Sequence, residues 1–90
     1  MSWPITGGPM PITVTGGDHV GDVKTANING STGGIQWARW DATARTYVQD
    51  IEGQTGPTYK IDAPDIGFLV GAYLTSYQPF AHSNTAASAA

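Results

Sequence analysis

Short alternating runs separated by glycine, proline and asparagine punctuate this chain from end to end. Ile12-Thr13-Val14-Thr15 alternates and is β-branched, which predicts a first strand, and Gly16-Gly17-Asp18 turns the chain after it. Val20 to Ile28 reads as a second extended region that ends at Asn29-Gly30, a pair tolerant of positive φ. In Gly33 to Trp40, Ile35, Trp37 and Arg39 share one face of a strand, and Gln36, Ala38 and Trp40 share the other. Asp41 to Arg45 fits a polar hairpin loop, Tyr47 to Ile51 a further strand, and Glu52 to Pro57 another turn. Tyr59-Lys60-Ile61 is a strand running into a corner, Asp62-Ala63-Pro64-Asp65-Ile66-Gly67. Phe68 to Tyr77 is the most apolar strand. No window carries a helical period. Six or seven short strands at spacings of about 8–12 residues predict an all-β sandwich or barrel.

The two ends read differently. Residues 1–11 hold Pro4, Pro9, Pro11 and a glycine pair, so they predict an extended arm that cannot join a sheet ladder. Residues 78–90 are polar and small after Phe80, which predicts a tail with nothing to bury. The folded unit is then residues 12–77.

Ninety residues make one small domain. Such a chain buries only about 60–65% of the surface its unfolded form exposes. No cysteine is present, which removes disulfides, thiol chemistry and cysteine metal sites. Four basic against seven acidic residues, net −3, argue against a nucleic-acid face. No apolar run approaches the roughly 20 residues that span a bilayer as a helix. The first ten residues lack the basic and apolar regions of a secretory signal, so the expectation is a chain that stays in the cytoplasm where it is made or enters a particle.

Few residues suggest chemistry. His19 sits between Asp18 and Asp22, but one short loop supplies too few oxygens for calcium. His82 has no partner in sequence. Asp62 and Asp65 are spaced like paired carboxylates, yet an aspartate at a corner more simply accepts backbone N–H bonds. Asn29-Gly30-Ser31 matches a glycosylation pattern but reads as a turn, and the Thr-Gly-Gly repeats lack the lysine and helix of a phosphate loop. No serine or threonine has the context of a nucleophile. The reading is non-enzymatic, with no cofactor and no metal.

The order of several weak motifs resembles a family. Gly21-Asp22-Val23, then Ile35-Gln36-Trp37, then I-x-G-x-T-G-P-T-Y-x-I from Ile51 to Ile61, then Asp65-Ile66-Gly67 and a closing apolar strand resemble the immunoglobulin-like domains of bacterial surface proteins and of tailed-bacteriophage virion proteins. The resemblance covers roughly residues 12–77 and implies an immunoglobulin-like antiparallel β-sandwich of about seven strands with extended N- and C-terminal arms. It makes Trp37 the tryptophan that fills the space between two sheets, Tyr59 and Ile61 the inward pair of strand E, and Asp65 and Gly67 the E–F corner. The disulfide of antibody domains and the corner tyrosine are missing, since Gly71 and Leu69 stand near those positions. Strand F then has two registers: Val70, Ala72 and Leu74 inward, or Leu69, Gly71 and Tyr73. The first is favoured because it places three apolar side chains in the core, and a one-residue slip would reverse it.

Aromatic residues outside such a core carry the functional reading. Trp40 points away from Trp37 and is expected to be partly exposed. With Trp3, Ile5, Tyr47 and Phe80 it forms the set of interface candidates. The resemblance implies a virion structural protein, a capsid decoration or accessory protein of a tailed phage. Its arms and exposed aromatics would attach to major capsid or tail proteins, as a homo-oligomer or bound to the lattice, with host-surface glycans as further contacts. The alternative is a carbohydrate- or protein-binding module of a bacterial surface protein, with Trp40 and Tyr47 as a platform for a sugar ring.

Overall fold

Two antiparallel sheets face each other across one core. The computed structural model describes residues 12–29, 33–76 and 79–89. Trp3, Ile5 and the rest of residues 1–11 lie outside the described residues. Seven strands appear among the described residues: β1 (Thr13–Gly16), β2 (Val23–Asn27), β3 (Ile35–Asp41), β4 (Tyr47–Asp50), β5 (Thr58–Lys60), β6 (Phe68–Leu74) and β7 (Phe80–His82). One sheet has the order β1-β2-β5 and the other β4-β3-β6-β7. The chain is therefore an all-β sandwich, as its turn spacing predicts.

The core follows the alternation of the strands. From β3, Trp37 enters the space between the sheets and is fully buried. Its ring stacks on Tyr59 of β5 with centroids 5.6 Å apart, and its indole N–H donates to the Gly56 carbonyl at 2.8 Å. Val70, Ala72 and Leu74 of β6 fill the same space with Ile12, Ile51 and Ile61. Trp37 faces Ala72 and Ile35 faces Leu74 across the β3–β6 ladder, so this register puts Leu69, Gly71 and Tyr73 on the opposite face.

The corner between β5 and β6 is held by a buried carboxylate. Residues 63–65 form one turn of 3-10 helix. Asp62 and Asp65 cap it reciprocally, and Pro64 lies in its first turn. Asp65 is completely buried. It accepts from Arg39 Nε at 2.7 Å, from the Tyr59 hydroxyl and from the Asp62 amide at 2.9 Å. The carboxylate thus joins β3 of one sheet to β5 of the other. Gly67 then takes φ +93 to start β6. A second ion pair, the buried Lys24 with the partly exposed Asp18 at 2.9 Å, ties β2 to the turn that precedes it.

The C-terminal segment differs from the expected free tail. Phe80–His82 forms β7 and pairs with β6, with Tyr73 opposite Phe80 and Gly71 opposite His82. Beyond it, Ala87 is buried in the main core. Its amide donates to the Phe68 carbonyl at 2.9 Å, and Ser88 exchanges backbone bonds with Asp18 and Val20. The small residues of this segment look unfit for burial in sequence, yet they suit a narrow seam between two backbones. The folded unit accordingly extends through the described residues to 89.

Gly71 makes room for β7. A side chain on it would run into the Ala81 carbonyl and the His82 backbone. Gly71→Ala is expected to destabilise the fold by about 1–3 kcal/mol, because overpacking a closed contact carries that cost. Urea denaturation checks the loss, and hydrogen exchange should place it first at the Ser83 amide, which donates to the Val70 carbonyl.

Candidate functional site

The outer face of the four-stranded sheet has a small core of its own. Ala38 and Trp40 of β3 and Leu69 of β6 are buried there, with Ala42 and Tyr73 packed against them. Trp40 is only 3% exposed, which corrects the expectation that it would be partly outside. It does lie opposite Trp37 on the strand. Its cover comes from elements whose placement alternation along β3 does not reveal. Phe80 stacks on it at 5.5 Å, His82 tilts against it at 5.3 Å, and Tyr47 meets it edge-on at 6.0 Å.

A β-bulge brings the other side chains to this face. Ala38 pairs with Asp50 and Arg39 with Gln49, but Trp40 pairs with Tyr47, so the register shifts and Val48 is left over. Strict alternation would send Tyr47 and Asp50 to opposite faces. The extra residue puts both on the outer one. The Tyr47 hydroxyl then donates to Asp50 at 2.7 Å, and the Tyr73 hydroxyl donates to the same carboxylate at 3.1 Å. The β3–β4 hairpin holds this strand in place through Asp41, whose carboxylate accepts from the Thr43 and Ala44 amides. Arg45 adopts a positive φ of 61 in that hairpin and donates to Asn84 at 2.7 Å, tying the loop to the segment after β7.

The result is an open cleft of about 600 Å³ lined by Trp40, Arg45, Thr46, Tyr47, Tyr73 and Phe80. Tyr47 and Phe80 are each about half exposed at its walls. Three of the five interface candidates, Trp40, Tyr47 and Phe80, therefore meet in one place. Tyr73 was legible as an outward residue of the favoured β6 register. Asp50 and Arg45 were not, because the bulge and the hairpin decide where they point.

The other candidates sort as structure. Asp62 and Asp65 are spent on the corner. His19 is exposed, with Nδ1 3.6 Å from Asp22. No group of three or more metal-ligating side chains occurs among the described residues. A second cleft of about 620 Å³, lined in part by Ile51, Tyr59 and Ile61, opens between the sheets beside β5. No protein-family model matches the chain, and neither does any curated protein or solved structure.

The cleft offers aromatic faces and one guanidinium, and two of its tyrosines are bound to the Asp50 carboxylate, a composition common at recognition surfaces. Its phenols are hard to ionise. The hydrogen bond to Asp50 pushes Tyr47 up to about 12, and burial followed by the same carboxylate raises Tyr73. A phenol raised in the folded state favours the fold at neutral pH. That contribution fades as pH climbs from the unfolded value of about 10 through the folded one. Asp50→Asn is expected to return the Tyr47 titration toward 10 and to lower that of Tyr73. Residue-resolved NMR titration of labelled tyrosines checks both. An unchanged Tyr47 would contradict the assigned cause.

Proposed function

We propose that this chain is a non-enzymatic structural protein of a tailed-phage virion, a capsid decoration or accessory protein attached to the capsid or tail lattice through its aromatic face. The observation that carries the reading is the half-exposed pair Tyr47 and Phe80 set over the buried Trp40. A sandwich of this size has no need of aromatic residues on an outer face for its main core. Rigid aromatic anchors on a packed floor, rimmed by polar groups, are the makings of an interface hot spot. The strand order supports an immunoglobulin-like type. Placing β1, β2 and β5 against β3, β6 and β7, with β4 added beside β3 and a buried tryptophan on β3, follows that arrangement. The sequence resemblance to virion domains supports the setting. In this reading the sandwich is a rigid knob, and many weak attachments sum over a lattice.

One observation favours the second reading, a carbohydrate-binding module of a bacterial surface protein. Asp50 lies beside the exposed ring of Tyr47, so a hydrogen-bond acceptor and an apolar platform are adjacent. That reading predicts binding of soluble sugars to the isolated chain, lost in Tyr47→Ala.

Mass spectrometry of purified virions tests the first reading. The chain is expected in the particles, and a Tyr47→Ala, Phe80→Ala double variant is expected to fall at least tenfold in occupancy while remaining folded. Absence of the chain from the particles would overturn the proposal.

A further inference from the structure

The cleft between the sheets is built around a cation whose hydrogen-bonding capacity the fold does not use up. We propose that it is a binding site for a singly charged carboxylate carried on an apolar stem, with the Arg39 guanidinium as the group that grips it.

The guanidinium is held from one side only. Arg39 lies on the inward face of β3, two residues beyond Trp37, and its side chain is 13% exposed. Its Nε donates to Asp65 at 2.7 Å. That carboxylate also accepts from the Tyr59 hydroxyl and the Asp62 amide, so the group that anchors Arg39 is itself fixed. The two terminal amino groups are left over, since neither donates a hydrogen bond to a described residue. Every fully buried side-chain nitrogen and oxygen among the described residues has a partner, so these two are not sealed inside. They open onto the cleft of about 620 Å³ that Arg39 lines. One contact from an ammonium would suffice to neutralise Asp65. A guanidinium presents further donors in a fixed planar fork, which matches the two oxygens of a carboxylate.

The surroundings select the kind of anion. Val20, Ile51, Ile61 and Pro64 line the cleft with apolar surface. The charges around Arg39 cancel, with Arg39 and Lys60 against Asp62 and Asp65. A doubly charged phosphate would meet Asp62 with no surplus of positive charge to offset the repulsion. A singly charged, planar carboxylate needs only the fork. Its stem then finds the apolar walls, where each buried methylene strengthens binding about fourfold.

This cleft shares no lining residue with the aromatic one, because Arg39 and Trp40 point to opposite faces of β3. The inference therefore stands apart from the attachment surface and from the virion reading.

NMR titration of the full chain tests it, following the Arg39 guanidinium and the Ile51 and Ile61 methyl groups. The probes are isocaproate, its neutral amide, acetate, inorganic phosphate, and a short peptide ending in leucine, as free acid and as amide. Saturable shifts in the millimolar range are expected with isocaproate or the free-acid peptide. Acetate, phosphate and both amides are expected to bind at least tenfold more weakly. Whichever of the two acids binds more tightly identifies the source as a small free acid or a chain terminus, and either supports the site. Arg39→Lys keeps a cation beside Asp65 and is expected to stay folded while binding falls at least tenfold. Should that variant unfold, the comparison of acid with amide in the unaltered protein still decides. Equal binding of acid and amide, tighter binding of phosphate, no response at Arg39, or full binding by a folded Arg39→Lys would each overturn the proposal.

Discussion

Strand β3 buries a tryptophan on each of its faces, and the rest of the structure answers that constraint. Trp37 is covered by the three-stranded sheet, which makes an ordinary sandwich core. Trp40 faces outward from the same strand and needs separate cover. Leaving a large aromatic ring in water forgoes roughly 2–3 kcal/mol of burial. β7, Tyr47 and Tyr73 supply the cover almost completely, leaving the indole 3% exposed. The cleft opens beside it, between the same side chains. The site is a consequence of how the second tryptophan is packed.

Three local devices make that packing possible, and each does something different. Gly71 lets β7 approach β6 closely enough for Phe80 and His82 to lie over the indole. The bulge at Val48 turns Tyr47 and Asp50 to one face, so that the phenol and the carboxylate meet. The buried Asp65, bound by Arg39 and Tyr59, locks the two sheets at the opposite corner. A buried carboxylate that lost its guanidinium would be left uncompensated, at a cost of about 3–5 kcal/mol.

The inner half of the fold was legible in the sequence because it obeys period two. Ile35, Trp37 and Arg39 on one face, and Val70, Ala72 and Leu74 on the facing strand, follow from alternation and from counting apolar side chains. The corner was legible from Pro64, the two aspartates and Gly67. The outer half was not. Phe80–His82 is too short to show a period, and the small residues around Ala87 give no hydrophobic signal. Their place is fixed by backbone bonds to Phe68, Asp18 and Val20, which are long-range. A bulge changes the parity of a strand without marking its sequence, so Asp50 could not be joined to Tyr47 by alternation. Trp40 was assigned to the correct face. Its burial went unseen because Phe80 and His82, which lie over it, were read as part of a tail.

The central claim is that the outer aromatic face is the attachment surface. Site-specific photo-crosslinking during phage infection tests it most directly. One chain would carry the photoreactive group at the exposed Thr46, which lines the cleft, and another at the exposed Thr25 on the opposite sheet. The account predicts crosslinks from position 46 to a capsid or tail protein and none from position 25. Crosslinks to such a protein from position 25 alone would contradict it.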